Sequence, residues 1–260
     1  MGNLETVCVN LNVAYLLHVP PAVDGRTLLV LTLHGYGSNP EVMLRLSVPA
    51  VGEDCIVASL RAPNQAYASA GPSASGAPAL TAGPTADAVA YNWGTRRHPE
   101  LNIELHHDIV RAVARQLRAR FSIDAGRTVL MGFSQPVGLN YRFIGTYPEE
   151  AGGVIAICGG VPKDWEEDKY KPVAAPILHI SRSEDEYFPA DYVRGFPDRL
   201  RKHASDVEFH LLPGAHRFPS KAAPIIREWR KRVFGGITPS GGQTSALASP
   251  GRAWLKPSAD

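Results

Sequence analysis

Cysteine is scarce in this chain. The 260 residues hold only Cys8, Cys55 and Cys158, far apart and odd in number. That argues against a disulfide framework and for reduced, buried thiols in a reducing compartment, so the chain reads as cytoplasmic. Long apolar runs are also missing, and none reaches the length of a bilayer span. The opening MGNLETVCVN has no basic cluster followed by an apolar stretch, so it is not a secretory signal. Neither sign of charge dominates: 27 Lys and Arg stand against 25 Asp and Glu, a net charge of +2. This leaves no surface suited to nucleic acid or to an anionic membrane. The densest basic run, Arg227, Arg230, Lys231 and Arg232, reads as the solvated end of a last helix, where the helix dipole favours cations. No Gly-Lys-Ser/Thr follows any Gly-rich turn, so there is no phosphate loop.

What is present is an ordinary globular composition, 44% hydrophobic, in a chain long enough to bury a large core. Residues 28–33 are almost continuously apolar, as a strand buried on both faces should be. Residues 55–60, 128–131, 154–158, 176–180 and 207–212 continue the series. Between them, residues 104–121 carry Ile109, Val110, Val113, Leu117 and Phe121 at helical spacing. Residues 191–203 and 221–233 are further helices. Strands alternating with helices predict an α/β fold: a mostly parallel central sheet with helices on both faces. Residues 6–11 and 13–19, stopped by Pro20 and Pro21, are expected to add an antiparallel hairpin at the sheet edge. The domain is expected to span residues 1–234. Residues 64–90, rich in Ala, Ser, Gly and Pro, read as a long surface loop within it. Residues 235–260 have similar composition and read as a disordered tail.

The chemistry collects where strands end. Residues 131–140, MGFSQPVGLN, come close to the Gly-x-Ser-x-Gly turn that presents a serine nucleophile. Ser134 follows an apolar strand directly, but Pro136 stands where the second glycine belongs. A serine hydroxyl needs a base, a carboxylate to orient that base, and donors for the oxyanion. The base candidate is His216, in the LLPGAHRFP loop after the last strand. His203 and His210 read as helix- and strand-borne. His106 and His107 are neighbours on one helix, so their side chains diverge, which also disqualifies them as a metal pair. The carboxylate candidate is Asp185, between Glu184 and Glu186 in a post-strand loop before Pro189. The order Ser134, Asp185, His216 is that of α/β-hydrolase triads, and each residue follows a separate strand. All three therefore fall at the carboxyl edge of a parallel sheet, where open α/β folds place their sites. A fourth segment, LTLHGYGSNP, puts backbone amides near His34, Gly35 and Gly37 at the same edge.

Together, Leu-His-Gly-Tyr-Gly-Ser-Asn, Gly-Phe-Ser-Gln, the Asp185 loop and Pro-Gly-Ala-His resemble the phospholipase/carboxylesterase family of α/β-hydrolases. That family includes acyl-protein thioesterases and small bacterial carboxylesterases. The likeness covers roughly residues 25–234. It implies hydrolysis of a small-molecule carboxylic ester or thioester through an acyl-enzyme, with no cofactor and no metal. It makes Ser134 the nucleophile, His216 the general base and acid, and Asp185 its orienter. The amides of Tyr36 and Gln135 become the oxyanion hole, and Trp93 lines the acyl pocket. The chain departs from the family pattern at Pro136 and in the length of the 64–90 loop. Pro136 is expected in the first turn of the helix after Ser134, where its missing amide has no intrahelical partner to lose. The competing reading is a non-catalytic α/β-hydrolase fold that binds a small ligand in the same pocket.

Overall fold

A computed structural model of the chain describes residues 5–7, 9–67, 89–95 and 97–235. In chain order the elements are β1 (Tyr15–His18), β2 (Leu29–Leu33), α1 (Pro40–Val51), β3 (Ile56–Leu60), β4 (Asn64–Tyr67), β5 (Val89–Asn92), α2 (Pro99–Phe121), β6 (Thr128–Phe133), α3 (Gln135–Thr146), β7 (Gly153–Ile157), β8 (Ile177–Arg182), α4 (Ala190–Val193), α5 (Phe196–Leu200), β9 (Val207–Leu212) and α6 (Ala222–Phe234).

The main sheet runs β1-β3-β2-β6-β7-β8-β9. Every pairing from β3 to β9 is parallel, and β1 joins the edge antiparallel to β3. The antiparallel element foreseen at the N-terminus is thus β1 lying on β3. Residues 5–7 and 9–11 lie in no strand, and Cys8 falls outside the described residues. β2, β3 and β7 are buried at every position, which is why they read so clearly in the sequence. Their side chains alternate between two cores. Leu29, Leu31 and Leu33 pack with Val113 and Leu117 of α2 and with Tyr141 and Phe143 of α3. Val30, Val129, Met131 and Ile155 pack on the other face with Met43 of α1 and Ile226 and Trp229 of α6. No described helix is long and apolar enough to cross a membrane.

Several elements differ from the sequence reading. The expected 191–203 helix is two short helices, because Gly195 and Pro197 interrupt it and Pro197 starts α5. α1 was not foreseen; Asn39 caps it by accepting the Val42 amide, and Pro40 opens it. The two ends of the expected 64–90 loop are strands, β4 and β5, paired antiparallel. Residues 68–88 lie outside the described residues, as does the expected tail from 236 onward. The basic run on α6 is tied to its neighbours as well as solvated. Arg230 pairs with Asp54 at 2.7 Å, Arg232 with Asp206 at 2.8 Å, and Arg227 donates to the Pro49 carbonyl.

The strand order also fixes where a site can form. From β2 the chain moves outward to β3, and β6 then returns to the opposite side of β2. The connections leaving β2 and β6 therefore diverge to opposite faces, and a crevice opens beyond their carboxyl ends.

Candidate active site

β6 ends at Phe133 and α3 begins at Gln135, so Ser134 alone forms the turn, at φ 63° and ψ −112°. A positive φ on a serine is a strained backbone, held here by its surroundings. The Ser134 amide donates to the Ile157 carbonyl at 2.8 Å, which moors the turn to β7. Close approach on both sides depends on glycine. A Cβ on Gly132 would stand 2.9 Å from Asn140 Nδ2, and one on Gly159 would overlap Val137 and the Ser134 carbonyl oxygen. Pro136 occupies the first turn of α3 and is buried.

His216 reaches this serine from the loop after β9. Its Nε2 lies 2.8 Å from Ser134 Oγ, and its Nδ1 lies 2.7 Å from Asp185 Oδ2. A carboxylate accepts only, so Nδ1 carries the proton and Nε2 is left to accept from the hydroxyl. Asp185 is buried, and its Oδ1 accepts the amides of Tyr187 and Phe188, both at 2.9 Å. One oxygen thus fixes its own loop and the other fixes the imidazole. Phe133, Tyr187 and Phe188 surround the His216 ring at centroid distances of 5.3, 4.8 and 6.0 Å. Cys158, just beyond β7, is no rival nucleophile: burial pushes its thiol up to about 12.

The 34–38 segment follows β2. His34 is buried, and its Nε2 accepts the Ala62 amide at 3.2 Å. Since an amide only donates, Nδ1 must hold the ring proton, and it donates to the Gly35 carbonyl at 2.8 Å. Burial keeps this imidazole below its ordinary pKa and neutral. The peptide bonds are trans, so the Tyr36 N–H points away from the carbonyl that His34 holds. The Gln135 amide is the first of α3 and has no intrahelical acceptor. The Gln135 side chain accepts the Trp93 amide at 2.9 Å and donates to the Gly94 carbonyl at 3.0 Å. Trp93 itself is buried, with its indole N–H on the His34 carbonyl at 2.8 Å.

The sequence candidates Ser134, Asp185 and His216 therefore converge, with Gln135 and Trp93 joined beside them. The other histidines take part elsewhere. His106 and His107 are buried on α2 against Trp93 and Phe143, His203 stacks edge-on to Trp165, and His210 pairs with Glu208. Sequence reasoning missed two contributors. Gly159 was signalled only by a Gly-Gly pair after a strand. Glu186 accepts the backbone amide of His216 at 3.0 Å. It was passed over as a neighbour of Asp185.

The phospholipase/carboxylesterase family model matches residues 98–231, just over half of the chain and the part that holds Ser134, Asp185 and His216. The chain belongs to the phospholipase/carboxylesterase family. Family membership supports a hydrolase acting on a small-molecule ester. The fold is shared with esterase PE8, at TM-score 0.65 and 18% identity over 86% of this chain and 100% of that one. It is shared with the Bacillus cereus carboxylesterase, at TM-score 0.65 and 14% identity over 85% of this chain and 95% of that one. Arabidopsis thaliana SOBER1 matches at TM-score 0.60 and 19% identity, over 79% of this chain and 98% of that one. No curated protein sequence gives a significant match.

Proposed function

We propose that this member of the phospholipase/carboxylesterase family is a serine hydrolase that cleaves a carboxylic ester or thioester through an acyl-enzyme on Ser134. The observation that carries the reading is the His216 imidazole bridging Ser134 Oγ at 2.8 Å and Asp185 Oδ2 at 2.7 Å. Both distances are within the reach that proton transfer needs. Ser134 Oγ attacks the acyl carbon while its proton moves to His216 Nε2. Asp185 holds the ring in the tautomer that can accept it and stabilises the imidazolium. The amides of Tyr36 and Gln135 stabilise the oxyanion. Their support is the turned Gly35–Tyr36 peptide and the first amide of α3, which has no intrahelical acceptor. The imidazolium then protonates the departing alcohol or thiol. Water, deprotonated by the same ring, attacks the acyl-serine and releases the acid. Trp93, expected to line the acyl pocket, is fully buried, so it is assigned to support that wall from behind through its amide bond to the Gln135 side chain.

Fluorophosphonate labelling tests the nucleophile. The probe should modify Ser134 in the native protein, and Ser134→Ala should lose both the label and hydrolysis of nitrophenyl esters. A Ser134→Ala protein with wild-type turnover would overturn the assignment. A series of oxygen and sulfur esters of increasing acyl length then fixes the substrate class.

A further inference from the structure

We propose that Glu186 is a positioning residue for His216, holding its main chain by a hydrogen bond. This inference rests on the catalytic reading above.

Asp185 and Glu186 are consecutive acids that take opposite ends of one histidine. Asp185 Oδ2 receives the ring N–H at 2.7 Å, and Glu186 Oε2 receives the main-chain N–H at 3.0 Å. The β8–β9 ladder ends at Arg182 and Leu212. Beyond it, the Ser183 amide donates to the Leu212 carbonyl at 2.8 Å and the Glu184 amide to the Gly214 carbonyl at 3.0 Å. The His216 amide then donates back to the Glu186 carboxylate. Residues 212, 214 and 216 are thus laced in turn to residues 183, 184 and 186. At the last step a side chain takes the place of a backbone carbonyl. Gly214, beyond the end of that ladder, sits at φ 121°.

The bond is charge-assisted. The His216 amide and Glu186's own amide, with the nearby Arg217 charge, hold Glu186 below the usual carboxylate range, so the acceptor is a carboxylate.

Two variants test the anchor. Glu186→Gln keeps an acceptor for the amide, and its kcat and KM should stay within about threefold of wild type. Glu186→Ala removes the acceptor, and kcat should fall roughly tenfold with KM and melting temperature little changed. Hydrogen exchange of the His216 amide reads the bond without using turnover, and should be faster in Glu186→Ala than in wild type or Glu186→Gln. Wild-type kcat in Glu186→Ala, or an equal loss in both variants, would overturn the proposal. Ser134→Ala is run alongside: if it keeps turnover, the catalytic reading has failed, and the amide exchange alone then decides the role of Glu186.

Discussion

Trp93 donates its indole N–H to the carbonyl oxygen of His34 at 2.8 Å, across 59 residues of sequence. His34 in turn holds Ala62 and Gly35 with its two ring nitrogens. His34→Phe should therefore orphan a buried amide and release the Gly35 carbonyl. An unpaired buried polar group costs about 1–3 kcal/mol, so urea denaturation should show a loss in that range. Turnover should fall by roughly ten- to a hundredfold if the freed peptide no longer aims the Tyr36 amide. Wild-type turnover in a destabilised His34→Phe protein would show that Tyr36 is not aimed by His34.

Pro136 is tolerated because the space for the elbow is provided elsewhere, by Gly132 on one side and Gly159 on the other. Pro136→Gly should then raise kcat by tenfold or less, about 1.4 kcal/mol in barrier. Gly159→Ala should do more harm, since its methyl meets Val137 and the Ser134 carbonyl; overpacking of this kind costs about 1–3 kcal/mol. A thousandfold gain in Pro136→Gly would mean that the wild-type elbow is broken, and would favour a ligand-binding role for the fold.

The strands were legible because burial on both faces leaves nearly continuous apolar runs, as in Leu29–Leu33 and Gly153–Ile157. Ser134, Asp185 and His216 were legible as candidates because each stands beyond the end of a strand, although β9, with Glu208 and His210, is only half-buried. β4 and β5 were not, because their pairing joins Asn64 to Asn92 across a compositionally bland stretch, and local pattern carries no trace of a distant partner. α1 had its signals in Asn39, Pro40 and Glu41, but Pro49 inside the helix and the polar Ser47 on its buried side blur the period. Glu186 escaped because its role is to accept a main-chain amide, a contact that any exposed acid in the loop would advertise equally well.

Acid should weaken the protein well before its carboxylates titrate. Burial lowers His34 and His106, brings His107 down to about 4 and brings His179 to about 3, all from an ordinary 6.5. These rings stay neutral in the folded state while the unfolded chain takes up protons. Unfolded molecules then bind more protons, so stability is full above pH 6.5 and falls as pH drops toward 4. Each such histidine contributes a slope of up to about 1.4 kcal/mol per pH unit within that window. Urea denaturation between pH 7.5 and 4.5 measures it. A flat profile over that range would mean that the buried rings accept protons while folded.

The backbone at Ser134 adds a constraint of a different kind. Its φ of 63° suits glycine, and a side chain held in such a region costs on the order of 1–3 kcal/mol. Thermodynamics alone therefore favours glycine at position 134, and a search for more stable variants would drift toward erasing the hydroxyl. Under the proposed serine-hydrolase reading, fitness measured by folding and fitness measured by hydrolysis point in opposite directions at this one residue.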